Sequence, residues 1–220
     1  MQIISFDLGW TIEDETDAQI QRCSDTAKIV NKFGYSILTE DILKKQDELG
    51  SLGNSTVFKD SLIALGIATD VIGIIKNEVV WNPGLCKKYN GIDTVLAKIK
   101  NNGNIVAMIT NQSKPANERL KKYRIYNYFD DIICSCDAGC EKPDKKIFEI
   151  LIEKYGNDNS YWMIGDRVDN DIIPANKLGW RTIRILKGVH RNYSEKNKDE
   201  MADYTVNDID EINEIKELNI

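Results

Sequence analysis

From Gly91 onward the chain repeats one unit: a segment of helical pattern, a break, then a short and nearly continuous apolar run. The apolar runs are NIVAMIT, DIICS, YWMIGD and RTIRIL; the helical stretches among them are IDTVLAKIKNN, NERLKKYRI, PDKKIFEILIEKYG and NDIIPANKLG. A strand with one wet face alternates polar and apolar residues. These runs do not alternate, so both of their faces are buried. Parallel strands covered by helices on both sides satisfy that requirement. The run IISFD at residues 3–7 reads as one more such strand, and a short strand near Tyr204–Val206 with a closing helix, DIDEINEIKEL, completes the series. The expected fold class is α/β, a doubly wound parallel sheet.

Residues 15–80 break this rhythm. They carry helical patterns with polar interruptions and no convincing strand. Gly34, Gly50 and Gly66 sit where helices could stop, and Thr39 and Thr69 where helices could be capped. The expected organisation is therefore an α/β core from residues 1–14 and 89–220, with a helical domain, 15–88, inserted after the first strand. The polar segment 188–202 reads as a surface loop.

In open α/β sheets ligands bind beyond the carboxyl ends of the strands, so polar residues at those ends are the ones to weigh. The first strand ends at Asp7, NIVAMIT ends at Thr110-Asn111, and YWMIGD ends at Asp166. Lys142 stands just before Pro143, a residue suited to the first position of a helix. One aspartate after a strand usually caps a helix or starts a turn. Several strand-end polar sites in this order say more. Clustered carboxylates need a hard cation, and oxygen donors suit magnesium. A hydroxyl, an amide and an ammonium opposite them suit the oxygens of a phosphoryl group.

FDLGWTI, MITNQS, EKPDKKIF and MIGDRVDNDIIPANKLG, taken in order, resemble the motifs of the haloacid dehalogenase-like hydrolase superfamily, which includes many magnesium-dependent phosphatases. The resemblance implies a Rossmann-like core with a helical cap at 15–88. It implies that Asp7 is a nucleophile forming an aspartyl-phosphate, a covalent route open to carboxylates. It further implies that Thr110 and Asn111 bind the transferred phosphoryl group and that Lys142 neutralises charge on nucleophile and phosphate. Magnesium would be held by Asp7, Asp166, Asp171 and the backbone carbonyl of Gly9, with Asp169 a poorer fit than Asp171. The substrate implied is a small phosphorylated molecule.

Gly9 departs from the pattern. The family's phosphatases carry there an aspartate that protonates the leaving group and then activates water. Gly9 keeps the carbonyl and lacks the acid. A positioned acid or base is worth about 10²–10⁴ in rate, or roughly 3–5 kcal/mol of barrier. Attenuated turnover is expected, slowest for hydrolysis of the intermediate. A protein that binds phosphate and magnesium without useful turnover is the competing class. Glu13, Asp14 and Glu15 could supply a substitute acid, although solvation or capping of the following helix is the expected role. Trp10 replaces a small residue and could wall the entrance. The haloacid dehalogenase branch does not fit MIGDRVDND. The phosphonatase-like branch would need a cap lysine from among Lys28, Lys32, Lys44, Lys45 and Lys59.

Composition closes other routes. A net charge of -6 argues against nucleic acid or anionic membrane as a partner. No apolar run approaches a membrane span and no signal peptide is evident, so a cytoplasmic location is expected. Five cysteines, odd in number, suit a reducing compartment. Cys134, Cys136 and Cys140 lack the spacing of a structural zinc site and read as structural residues. His190, the only histidine, has no evident triad partner.

Overall fold

The computed structural model describes residues 1–218, so the last two positions of the expected core segment lie outside the described residues. Six parallel strands form the main sheet: β1 (Gln2–Phe6), β2 (Ile105–Thr110), β3 (Asp131–Cys134), β4 (Ser160–Gly165), β5 (Arg181–Ile185) and β6 (Tyr204–Val206). Their order is β3-β2-β1-β4-β5-β6. Chain progression reverses direction beside β1, which is where such sheets place their ligands. The register aligns Phe6 with Met108 of β2 and with Ile164 of β4, so the carboxyl ends of the three central strands lie at one edge.

The unbroken apolar runs are explained by two separate cores. Ile4, Phe6, Trp162, Ile164 and Ile183 pack in one buried cluster, together with Val95, Leu96 and Ile99. Ile3, Ala107, Ile109 and Met163 pack in another with Ile147, Phe148 and Leu151. The helix Ile92–Asn101 buries Ile92, Val95, Leu96 and Ile99, the spacing of one helical face. The helix Lys145–Tyr155 buries Ile147, Phe148 and Leu151 in the same manner, and the Asp144 side chain caps it by accepting from Lys146 N–H at 3.0 Å. Pro143 was expected as its first residue. It lies two positions earlier, because Asp144 takes the capping role.

The chain divides into two compact units. One comprises Met1–Glu13, Lys87–Lys187 and the chain from Glu195 on, and contains the sheet. The other comprises Asp14–Cys86 and Gly188–Ser194. Its helices are α1 (Thr16–Lys32), α2 (Thr39–Ser51), α3 (Val57–Ala64) and α4 (Thr69–Glu78). They enclose a core that includes Cys23, Val30, Ile42, Leu62 and Ile75.

Local expectations for this helical unit are corrected in three places. Thr39 and Thr69 are the first residues of their helices and not the caps, and Asp41 instead accepts from the Leu38 N–H at 2.8 Å. Gly50 does not stop α2; it is buried inside it. A Cβ at Gly50 would lie 2.1 Å from the Val189 carbonyl oxygen, so glycine there admits a neighbouring backbone. The segment 188–194 is thus packed against α2, and His190 is buried; a surface loop describes only the residues after it. At the C-terminus, 3₁₀ turns over Ile209–Glu214 and Lys216–Leu218 replace the expected closing α-helix. No helix among the described residues is long and apolar enough to cross a membrane.

Candidate active site

Four chain segments deliver polar side chains to the carboxyl edge of the central strands. Asp7 follows β1 directly, and its N–H donates to the Ile164 carbonyl at 2.8 Å, tying the end of β1 to β4. Lys142 is buried and donates from Nζ to Asp7 Oδ1 at 2.7 Å and to Asp171 Oδ1 at 2.6 Å. Burial alone would lower its pKa. Asp171 and Asp7 outweigh that, and the ammonium is held above its ordinary pKa.

Asp171 comes from a single π-helical turn, Val168–Ile172, that follows β4. Here Asp171 Oδ2 accepts from the Arg167 N–H at 3.0 Å while Oδ1 meets Lys142, so both oxygens have protein donors. Burial raises the Asp171 carboxyl, Lys142 opposes the rise and Asp7 adds to it. The side chain passes directly over Gly165: a Cβ at that position would lie 2.3 Å from Asp171 Oδ2. Asp169, the alternative in this motif, pairs instead with Arg167 at 2.9 Å.

Asp7, Asp166 and Asp171 each place a carboxylate oxygen within 4.8 Å of the others. Three carboxylates with one ammonium leave a formal charge of -2 in a largely buried cluster. Such an excess is relieved by protonation or by a bound cation. The all-oxygen donor set is the kind a hard divalent ion takes, and magnesium fits it.

Thr110 ends β2, is buried, and its hydroxyl has no hydrogen-bond partner among the described residues. A buried hydroxyl without a partner is uncommon and points to a ligand or water that completes it. Asn111, expected beside the phosphoryl group, has its side chain on the backbone of Lys142. Its Oδ1 accepts from the Lys142 N–H and its Nδ2 donates to the Lys142 carbonyl, each at 2.8 Å. The amide therefore sets the position of the lysine.

The residues after Gly9 differ from expectation in one respect. Asp14 does act at a helix start, accepting from the Thr16 N–H at 2.9 Å. Glu13 is neither solvated nor a cap: it is fully buried and accepts from Arg119 at 2.8 Å. Arg119 also donates to the Gln112 side chain at 2.7 Å, so Glu13 and the loop after β2 share one guanidinium. Burial pushes the Glu13 carboxyl up to about 7, against the pull of Arg119 and with a contribution from the Asp7 charge. Sequence reasoning missed this pairing because its partners are 106 positions apart. Trp10 is half-buried with a φ of 54°, a left-handed conformation that suits glycine better than tryptophan. Lys28, Lys32, Lys44 and Lys59 are exposed and Lys45 is only partly buried; none has the desolvation that activates an amine nucleophile.

Comparison with known proteins supplies independent context. The family model for haloacid dehalogenase-like hydrolases matches residues 4–185. A glyceraldehyde 3-phosphate phosphatase of Methanocaldococcus jannaschii is 40% identical over 101 residues, 44% of this chain and 42% of its own. The enzyme of the same name from Methanothermobacter thermautotrophicus is 29% identical over 201 residues, 86% of this chain and 83% of its own. The chain thus matches under half the length of the first relative and most of the second. Among solved structures, the HAD-hydrolase YfnB of Bacillus subtilis, bound to magnesium, superposes with a TM-score of 0.69 at 18% identity, covering 100% of this chain and 99% of its own. That likeness concerns the fold.

Proposed function

The chain belongs to the haloacid dehalogenase-like hydrolase family, and from that premise we propose that it is a magnesium-dependent phosphohydrolase acting on a small phosphorylated molecule through Asp7. The observation that carries the reading is the cluster itself. Lys142 bridges Asp7 and Asp171, Asp166 lies in reach of both, and the Thr110 hydroxyl has no partner among the described residues.

Asp7, Asp166 and the Gly9 carbonyl would hold the cation. Asp171, whose two oxygens already have donors, lies within reach of it and chiefly orients Lys142. When bound, magnesium supplies positive charge to the carboxylates and to the phosphoryl oxygens. The chain's own residues do the rest. Asp7 attacks phosphorus, forming an oxygen–phosphorus bond as the bond to the leaving oxygen breaks. Lys142 donates to Asp7 and faces the charge that accumulates on the transferred group. Thr110 donates its free hydroxyl to a phosphoryl oxygen, and Asn111 fixes the lysine. Water then attacks the aspartyl-phosphate and restores Asp7.

Gly9 offers no side chain to protonate the leaving oxygen. Acyl and aryl phosphates, whose leaving groups need no proton, should therefore react better than alkyl phosphates, and the phosphorylated enzyme should accumulate. The relatives named glyceraldehyde 3-phosphate phosphatase make triose phosphates the first alkyl esters to try. A second reading, binding of phosphate and magnesium without turnover, is favoured by Gly9 alone.

Phosphate release from aryl, acyl and triose phosphates, with and without magnesium, separates the two. Metal-dependent release lost in Asp7→Asn supports the hydrolase. Release that is absent, or unchanged in Asp7→Asn, supports the binding protein.

A further inference from the structure

Two cysteines that take no part in this chemistry meet at the end of β3. Cys134 ends the strand and is buried; Cys136, in the short turn Ser135–Ala138 that follows, is exposed. Their sulfurs are 2.7 Å apart, roughly 0.7 Å beyond a disulfide bond of about 2.0 Å. Cys140 is occupied elsewhere, with its thiol on the Ala138 carbonyl at 3.7 Å.

The surroundings of Cys134 decide between a metal site and a disulfide. Asp137 brings a third possible ligand atom within 4.8 Å of the two sulfurs. A metal, however, requires thiolates. Cys134 Sγ faces the carbonyl oxygens of Gln112 at 3.6 Å and Lys114 at 3.7 Å. Two carbonyl oxygens accept from a thiol and sit beside an uncharged disulfide sulfur without cost, whereas a metal site needs a lasting thiolate that they disfavour; in exchange the thiolate is only transient.

We propose that Cys134 and Cys136 form a reversible disulfide, and that closing it loosens the loop 111–114 beside the strand-end site. The oxidant is a small-molecule disulfide. Cys136, the exposed sulfur, loses its proton and attacks one sulfur of the oxidant; that disulfide bond breaks and releases one small thiol. Cys134 then loses its proton and attacks Cys136 Sγ, breaking the mixed disulfide and releasing the second small thiol. Two protein thiols are oxidised and one small disulfide is reduced, so the electrons balance. The Cys134 sulfur, with desolvation and Asp137 after it, pushes the Cys136 thiol up to about 12, so little of it is thiolate at neutral pH and its attack on the oxidant is slow.

The link to the site runs through Ser135. The Gln112 N–H donates to Ser135 Oγ at 3.1 Å, and Ser135 Oγ donates back to the Gln112 carbonyl at 3.3 Å. Gln112 is next to Asn111, which brackets Lys142. Drawing Cys134 onto Cys136 removes both thiol contacts to the loop carbonyls and turns the Ser135 peptide between them.

The test uses the full chain treated with excess oxidised glutathione, blocked at free thiols, digested and weighed. The expected product is a Cys134–Cys136 link that dithiothreitol reverses. Amide exchange over 111–114 should be several-fold faster in the same sample. Cys136→Ser should show neither change, and Cys140→Ser should show both. Thiols at 134 and 136 that stay free, a link that uses Cys140, or zinc that protects both thiols from blocking would each overturn the proposal. A Cys134–Cys136 link with unchanged exchange at 111–114 would overturn its coupling to the loop.

Discussion

The Lys142 ammonium donates to Asp7 Oδ1 across 2.7 Å from a position that is itself almost wholly buried. A buried cation between carboxylates is a mutual arrangement, since each sign is tolerated only because of the other. Lys142→Met should therefore do two things. It should lower phosphate release by about 10²–10³, the usual cost of removing one charge-stabilising donor. It should also lower stability by about 3 kcal/mol at neutral pH, because the buried Asp171 and the partly exposed Asp7 lose their partner. Activity assays paired with urea melts check both. Loss of activity without loss of stability would mean that the carboxylates do not depend on this lysine.

Gly165 permits the approach of Asp171, and its replacement tests that packing. In Gly165→Ala the new Cβ would meet the carboxylate at 2.3 Å, so Asp171 must move off Lys142. Overpacking of this kind costs about 1–3 kcal/mol. Activity should fall more than ten-fold (an estimate based on the sensitivity of such sites to small displacements). Full activity in a folded variant would contradict the assigned position of Asp171.

Glu13 makes stability depend on pH in a definite direction. Its folded carboxyl titrates near 7 because of burial, against 4.5 for the free group. The folded state thus binds the proton more tightly than the unfolded chain does. The stability this confers is fully present below pH 4.5 and is lost as pH rises through 7. At 1.36 kcal/mol per unit, the change is on the order of 3 kcal/mol at most. Glu13→Gln removes the ionisation and keeps a group that Arg119 can bind. Urea midpoints at pH 5 and pH 8 should therefore diverge less in the variant than in the parent. Equal divergence would assign the pH dependence to other groups.

Gly9→Asp restores a carboxyl group where the leaving oxygen lacks an acid. On alkyl phosphates such as glyceraldehyde 3-phosphate, the variant should exceed the parent by about 10²–10⁴ in kcat/KM. Its gain on acyl phosphates should be much smaller. A uniform gain across all substrates would show that the carboxyl group improves binding and not proton transfer.

How much of this was legible beforehand follows from the range of the interactions. Asp7, Thr110 and Asp166 could be placed because each ends an apolar run, and a parallel sheet brings the ends of such runs to one edge. The fold class followed from those same runs. Gly50 was misread because its reason, the Val189 backbone against α2, lies far along the chain. Glu13 reads as a solvated residue among acids, and its burial is matched by Arg119, on a distant helix. Asn111 is expected at the phosphoryl group beside Thr110, and the structure adds a pairing no local pattern shows, its amide on the Lys142 backbone 31 positions away. Short-range pattern thus shows which polar residues reach one edge, and pairings across the sheet decide which of them meet there.

The central claim is that Asp7 becomes phosphorylated and that, for want of an acid at Gly9, it stays so long enough to be seen. Rapid quenching of the chain with magnesium and an acyl phosphate, followed by mass spectrometry of the N-terminal peptide, measures this directly. The account predicts a phosphoryl adduct on Asp7 that decays faster in Gly9→Asp and is absent in Asp7→Asn. No adduct on Asp7 at any time, or an equal one in Asp7→Asn, would contradict it.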